Sequence, residues 1–240
     1  MDSRRVEYLK NHFAITLFIK ETGQCLKLPD ITIASACVLY HRFISAIDDP
    51  NDFDLNIVGS TALYLAGKVE ETPCKLRDLI NMSYSILNKD KPPIEIAKKY
   101  WALRDTIVKC ELLFLRLLGF QVTVDNPHKY MLHYLKSLED WCDDETWQLS
   151  QLPQTSWSIL NDTFHTTLCL EETVPRIAVA VLYFAVSSTG LKIPCETAQR
   201  QWWQVFCPDR TEEDLHKIVN RIMDLYDFET EKVLHVPSQE

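Results

Sequence analysis

Apolar positions recur at intervals of three and four residues along most of the chain and rarely at intervals of two, so the pattern predicts helices throughout. A first helix over 5–22 sets Phe13, Leu17 and Phe18 on one side and stops at Gly23. Pro29-Asp30 opens a second over 31–47, which Asp48-Asp49-Pro50 closes because proline cannot continue the hydrogen-bond ladder. The third, 54–69, has Gly59, Ser60, Thr61, Ala62 and Ala66 through its middle, as expected of a helix packed closely on several sides. A short helix over 74–86 and a polar loop, Asn88 to Pro93, precede a fifth over 94–118, either continuous or broken near Tyr100, that ends at Gly119. Its later part, from Ile107 to Leu118, is apolar beyond one face and predicts packing on more than one side.

Phe120 to Pro127 reads as an extended linker too short and too apolar to be floppy, which predicts two docked halves. The second half repeats the scheme with helices over 128–140, 155–170, 174–188, 199–206 and 211–227, and a polar, frayed tail from Glu229. The repetition is visible in the residues. Ala62-Leu63-Tyr64-Leu65-Ala66 resembles Val181-Leu182-Tyr183-Phe184-Ala185, and Ile107-Val108-Lys109-Cys110-Glu111-Leu112 resembles Ile218-Val219-Asn220-Arg221-Ile222-Met223. The first copies run into Lys68 and contain Glu111, whereas the second have Ser187 and Ile222 there.

The chain's 240 residues suit two cores of roughly 100 to 120 residues each. Five glycines are few for a sheet-rich fold. A net charge of −9 supplies no bulk attraction to nucleic acid or anionic lipid. The eight cysteines include no C-x-x-C pair and sit mostly among apolar neighbours, which favours reduced core thiols in an intracellular protein. No signal-peptide pattern and no run of 18 apolar residues is present.

Lys68, Glu70 and Glu71 end a helix of small and apolar residues. They form either a solvated last turn, with Lys68 favourably placed against the helix dipole, or a contact in which the ammonium meets the terminal carbonyls of a partner helix. Glu111 lies among Cys110, Leu112, Leu113 and Phe114, where burial is costly unless something bonds to it. A surface junction, an internal ion pair and a carboxylate awaiting partner N–H groups are the three readings. Leu115 stands one turn beyond, and Phe120 with Val122 extend the apolar margin, the usual setting of a desolvated protein–protein hot spot.

Enzymatic readings are weaker. Cys37 and His41 share a helix face, but a core thiol with a peripheral histidine explains them without a third ligand. His128, His133 and His165 have no supporting pattern, and the adjacent Glu70 and Glu71 do not face each other. Neither a Gly-rich phosphate loop nor H-E-x-x-H occurs. Trp202-Trp203 before Val205 and Phe206 reads as a helix wedged into a core.

Leu28-Pro29 with Thr32-Ile33-Ala34, Tyr40-His41-Arg42-Phe43, Leu65-Ala66-Gly67-Lys68-Val69-Glu70-Glu71 and Glu111-Leu112-Leu113-Phe114-Leu115-Arg116-Leu117-Leu118-Gly119-Phe120, in that order, resemble the cyclin family. The resemblance implies an all-α fold of two consecutive five-helix cyclin boxes over 12–120 and 125–228, with a short N-terminal helical extension. The domains are then 1–123 and 124–240.

The resemblance further implies a non-catalytic activating subunit of a cyclin-dependent serine/threonine kinase. A cyclin-fold transcription scaffold acting without a kinase is the alternative. In cyclins the residues matching Lys68 and Glu111 contact the kinase C-helix region, and those matching Leu115, Phe120 and Val122 pack on it. Val69 and Glu70 complete the implied kinase-binding set. Asn126-Pro127-His128-Lys129-Tyr130 with Leu132-His133-Tyr134-Leu135, and Trp202-Trp203-Gln204-Val205-Phe206, point to the transcription-type branch. The closer match there implies a heterodimer with cyclin-dependent kinase 10, with no cofactor, metal, membrane or direct nucleic-acid contact.

Asn11-His12-Phe13-Ala14-Ile15 departs from the Met-Arg-Ala-Ile-Leu stretch with which cell-cycle cyclins dock substrates, so the same substrate motif is not expected there. The short N-terminal extension leaves no room for the destruction signal of mitotic cyclins. The family implies the nucleus, with the cytoplasm as a second location, although no basic import cluster is present.

Overall fold

In the computed structural model, which describes residues 3–194 and 200–234, all regular elements among the described residues are helical. Contacts divide the chain into two compact units, Lys10–Asp125 and a second that joins Met1–Leu9 to Asn126–Glu240.

The Lys10–Asp125 unit contains most of α1 (Ser3–Cys25), then α2 (Asp30–Ala46), α3 (Leu55–Val69), α4 (Leu76–Leu87) and α5 (Lys98–Leu117). The Asp54 carboxylate starts α3 by accepting from the N–H groups of Asn56 at 3.0 Å and Ile57 at 3.4 Å. The expected central helix is α3. It packs against α2, α4 and α5, and Ala62, Leu63 and Ala66 are fully sealed. Phe43 of α2 and Phe114 of α5, both fully buried, stack with ring centroids 4.2 Å apart.

Four expectations for this unit change. Gly23 lies inside α1, where an added Cβ would stand 2.6 Å from Ile33 Cγ1, so this glycine allows α2 to approach. The stop comes later, at Lys27 with φ 56°, and the Leu28 N–H closes the turn on the Gly23 carbonyl at 3.0 Å. On α1, Phe13 and Phe18 are buried while Leu17 is exposed. Helix α5 begins at Lys98, because Ile94 packs on the cluster of Ile80, Tyr100 and Ile107 and Ala97 is extended without a capping side chain. Helix α5 also buries one narrow face, Ile107, Cys110 and Phe114, and leaves Val108, Leu112 and Leu117 exposed.

The other unit contains α6 (His128–Trp141), α7 (Asp144–Ser150), α8 (Leu152–Thr163), α9 (Leu168–Glu171), α10 (Val174–Thr189), α11 (Trp202–Phe206) and α12 (Glu212–Leu234). Helix α10 takes the central place, against α6, α8, α9, α11 and α12, with Val181, Leu182 and Ala185 sealed. Both copies of the first near-repeat are therefore central helices. The single helix expected over 155–170 is two, because the Thr163 and Thr166 hydroxyls bond the Leu160 and Thr163 carbonyls, each at 2.7 Å, and divert the backbone. Helix α7 escaped sequence reading. It is two turns long and starts where the Asp143 carboxylate accepts from the Thr146 N–H at 2.9 Å. Helix α12 runs on through Leu234, past the expected start of the tail, and 195–199 and 235–240 lie outside the described residues. Trp203 is wedged into the core as expected, while Trp202 stacks on Tyr183 with centroids 6.4 Å apart.

Among the described cysteines Cys37, Cys110 and Cys207 are buried, Cys25 is exposed, and Cys74, Cys142 and Cys169 are intermediate, so the expected core thiols number fewer than the sequence suggested. His41 is also fully buried, edge-on to Tyr40, where a peripheral histidine was expected.

His12 is buried and its Nδ1 lies 2.7 Å from the Tyr40 hydroxyl. Burial pushes its pKa from 6.5 down to about 4. Below pH 6.5 the unfolded chain takes up this proton while the folded chain refuses it, so the stability present above pH 6.5 declines as pH falls toward 4. The expected loss is on the order of 1 to 3 kcal/mol, measurable by urea unfolding at a series of pH values. His12→Asn should remove that part of the slope.

Candidate functional site

The last turn of α3 and the middle of α5 bring together the two charges that distinguish the first copy of the repeat. Lys68 Nζ donates to Glu111 Oε1 at 2.6 Å. The Lys68 side chain is 44% exposed and that of Glu111 13%, so the pair sits at the surface with the carboxylate more deeply set. No hydrogen bond to Glu111 Oε2 is made among the described residues. The Lys68 ammonium also stands over the Tyr64 ring, 4.2 Å from its centroid. Burial works against the ammonium, yet Glu111 and Tyr64 outweigh it and hold Lys68 above the ordinary lysine range.

The surroundings follow from how the two helices end. Helix α3 closes with Glu71 at φ 55° and the Thr72 N–H bonded to the Gly67 carbonyl at 2.8 Å. The Glu70 carboxylate accepts from Ser35 Oγ of α2 at 2.6 Å, which commits it to holding α3 on α2. Val69 is half-buried beside it. Helix α5 closes at Gly119, φ 56°, a left-handed turn that suits glycine, and the Phe120 N–H reaches back to the Leu115 carbonyl at 2.8 Å. That turn presents Phe120, 71% exposed. The extended segment after it is tied down by Arg42, whose Nη1 donates to the carbonyls of Gln121 at 3.5 Å and Thr123 at 3.1 Å. Leu115 and Val122 are half-buried, and Leu112, next to Glu111, is 59% exposed.

Lys68 and Glu111 are thus in contact, and Leu115 follows Glu111 by one turn of α5. Glu70 is engaged within the fold. Three contributors were not among the residues expected at the kinase-binding surface: Tyr64, Arg42 and the exposed Leu112. Tyr64 stands one helical turn before Lys68, a spacing that could have revealed it. Arg42 acts through tertiary contacts that no local pattern encodes.

In the second unit Tyr183 occupies the repeat position of Tyr64. Its hydroxyl donates to Glu212 Oε1 at 2.6 Å and lies 3.0 Å from His216 Nε2. Ser187, at the Lys68 position, turns its hydroxyl back onto the Tyr183 carbonyl at 2.9 Å.

Residues 7–123 match the family model for the cyclin N-terminal domain. Over 231 residues the chain is 30% identical to cyclin-T1-5 of Arabidopsis thaliana, covering 95% of this chain and 38% of that protein. It is 31% identical to human cyclin-K over 221 residues, covering 91% of this chain and 37% of that protein. The chain belongs to the cyclin family. The relatives it resembles are cyclins of the T, K and L types, and mouse cyclin-L2 is similar at 30% identity over 225 residues. This cyclin spans well under half the length of these three relatives. Its fold is shared with a chain of the yeast RNA Pol II CTD kinase CTDK-1 complex, at TM-score 0.70 and 18% identity over 95% of this cyclin and 74% of that chain. A chain of the Chaetomium thermophilum CAK complex matches at TM-score 0.62 and 15% identity, over 95% of this cyclin and 64% of that chain.

Proposed function

We propose that this cyclin is the activating subunit of a cyclin-dependent serine/threonine kinase, corresponding to cyclin-Q with cyclin-dependent kinase 10, and that it acts in the nucleus. The observation that carries this reading is the Lys68–Glu111 pair, open to solvent beside Leu112, Leu115, Phe120 and Val122. The ammonium suits the unpaired carbonyls at the end of the kinase's mobile regulatory helix, and the free Glu111 oxygen suits N–H groups. The hydrocarbon around them supplies burial.

The cyclin performs no chemistry. An inactive kinase holds that helix rotated outward, so its glutamate cannot orient the ATP-binding lysine. A surface that bonds the helix only in its inward position shifts the population toward the active form.

A transcription scaffold working on promoter DNA needs a basic face. The Lys10–Asp125 unit holds 14 basic and 14 acidic residues, and the remaining residues hold 11 basic and 20 acidic, so neither unit has a cationic excess.

Mixing the purified chain with cyclin-dependent kinase 10 should give a heterodimer that phosphorylates a generic Ser/Thr peptide. The Lys68→Glu, Glu111→Lys double variant keeps an internal pair but reverses both charges toward the partner, and should recover neither complex nor activity. Undiminished recovery would remove this surface from the kinase contact.

A further inference from the structure

At the opposite end of α3 from Lys68, a recess of about 180 Å³ opens between α3, α4 and α5. Its walls are hydrocarbon, from Ile57, Ile80, Leu87, Leu103 and Ile107, and Leu87 is left 48% exposed at the mouth. A drug-sized ligand needs roughly 300 Å³ or more, whereas a cavity of about 150 Å³ holds a benzene ring. The space therefore fits one bulky apolar side chain, the anchor of a peptide.

The charges at the rim select what flanks that anchor. Lys99 lines the recess with its ammonium over the Tyr84 ring, 4.7 Å from the centroid. Asn88, also in the lining, accepts from Lys91 Nζ at 2.8 Å, which brings a second ammonium to the mouth. Among the described residues neither lysine has a carboxylate within ion-pair distance. The acidic group in the lining is Asp54, and its carboxylate is already engaged with the first N–H groups of α3. Two cations without an ion-pair partner, against the single Asp54 carboxylate that faces the start of α3, leave a net positive charge beside the apolar hole that complements a carboxylate next to a large apolar residue.

We propose that this recess is a docking site for an acidic peptide segment, in which one Leu, Met or aromatic side chain fills the space and a neighbouring Asp or Glu meets Lys99 and Lys91. The site is separate from the Lys68–Glu111 patch, so a partner segment and a kinase could occupy the chain together.

The test is selection of a random 12-residue peptide library displayed on phage against the full chain, followed by affinity measurements on synthetic copies of the enriched peptides. Enriched sequences should carry a large apolar residue within two positions of Asp or Glu. Their affinity should fall at least tenfold for the Lys91→Glu, Lys99→Glu double variant and for Leu87→Asp. All three substitutions are at the rim, and a circular dichroism melt verifies that each variant folds. Enrichment of neutral or basic peptides, affinity indifferent to both variants, or no enrichment over background would each overturn the proposal.

Discussion

Glu111→Ala is expected to weaken kinase binding by about 2 to 5 kcal/mol, roughly thirtyfold to several thousandfold, while barely changing the stability of the free chain. The two effects separate because the same ion pair has two settings. In the free chain Lys68 is 44% exposed, and solvent screening limits such a pair to under about 1 kcal/mol, or a few degrees in melting temperature. Under a partner helix the carboxylate loses water and gains N–H donors, and its removal strands them. Calorimetric titration against the kinase and a thermal melt of the free chain measure the two quantities. A melt that drops in proportion to affinity would make Glu111 a structural residue.

Phe114→Ala is expected to cost the Lys10–Asp125 unit about 3 to 5 kcal/mol, enough to bring a domain of ordinary stability near its unfolding threshold. The ring is fully buried and stacked on Phe43, so truncation leaves a cavity between α2 and α5 that close-packed neighbours refill only in part. Phe43→Ala should cost a similar amount. The double variant should lose less than the sum, by about 1 kcal/mol, because the stacking contact is removed once rather than twice. Urea titration of the single and double variants provides the cycle, and strict additivity would deny the contact its energetic weight.

The first central helix was legible because close packing on several sides demands small residues, and Gly59 to Ala62 with Ala66 supply them, while the second was legible through its likeness to the first. Lys68 and Glu111 were legible as charges in apolar company. Their mutual contact was not, since it spans 43 positions and depends on how α5 crosses α3. Gly23 misled because a glycine near a helix end signals a cap, whereas here it makes room for Ile33. The break after Thr163 was hidden because a threonine hydroxyl's choice of carbonyl is decided by packing. The apolar run of α5 suggested deep burial, and the structure leaves half of it facing outward beside the charged pair.

The duplicated frame also bears on stoichiometry. Around Tyr183 the second copy is self-contained: its hydroxyl is consumed by Glu212 and His216, and Ser187 spends its own hydrogen bond on its own helix. At the positions matching Lys68 and Glu111 the second copy carries the uncharged Ser187 and Ile222, so only the first copy has the charged pair. Under the proposed kinase contact, the expected stoichiometry is one kinase molecule per chain.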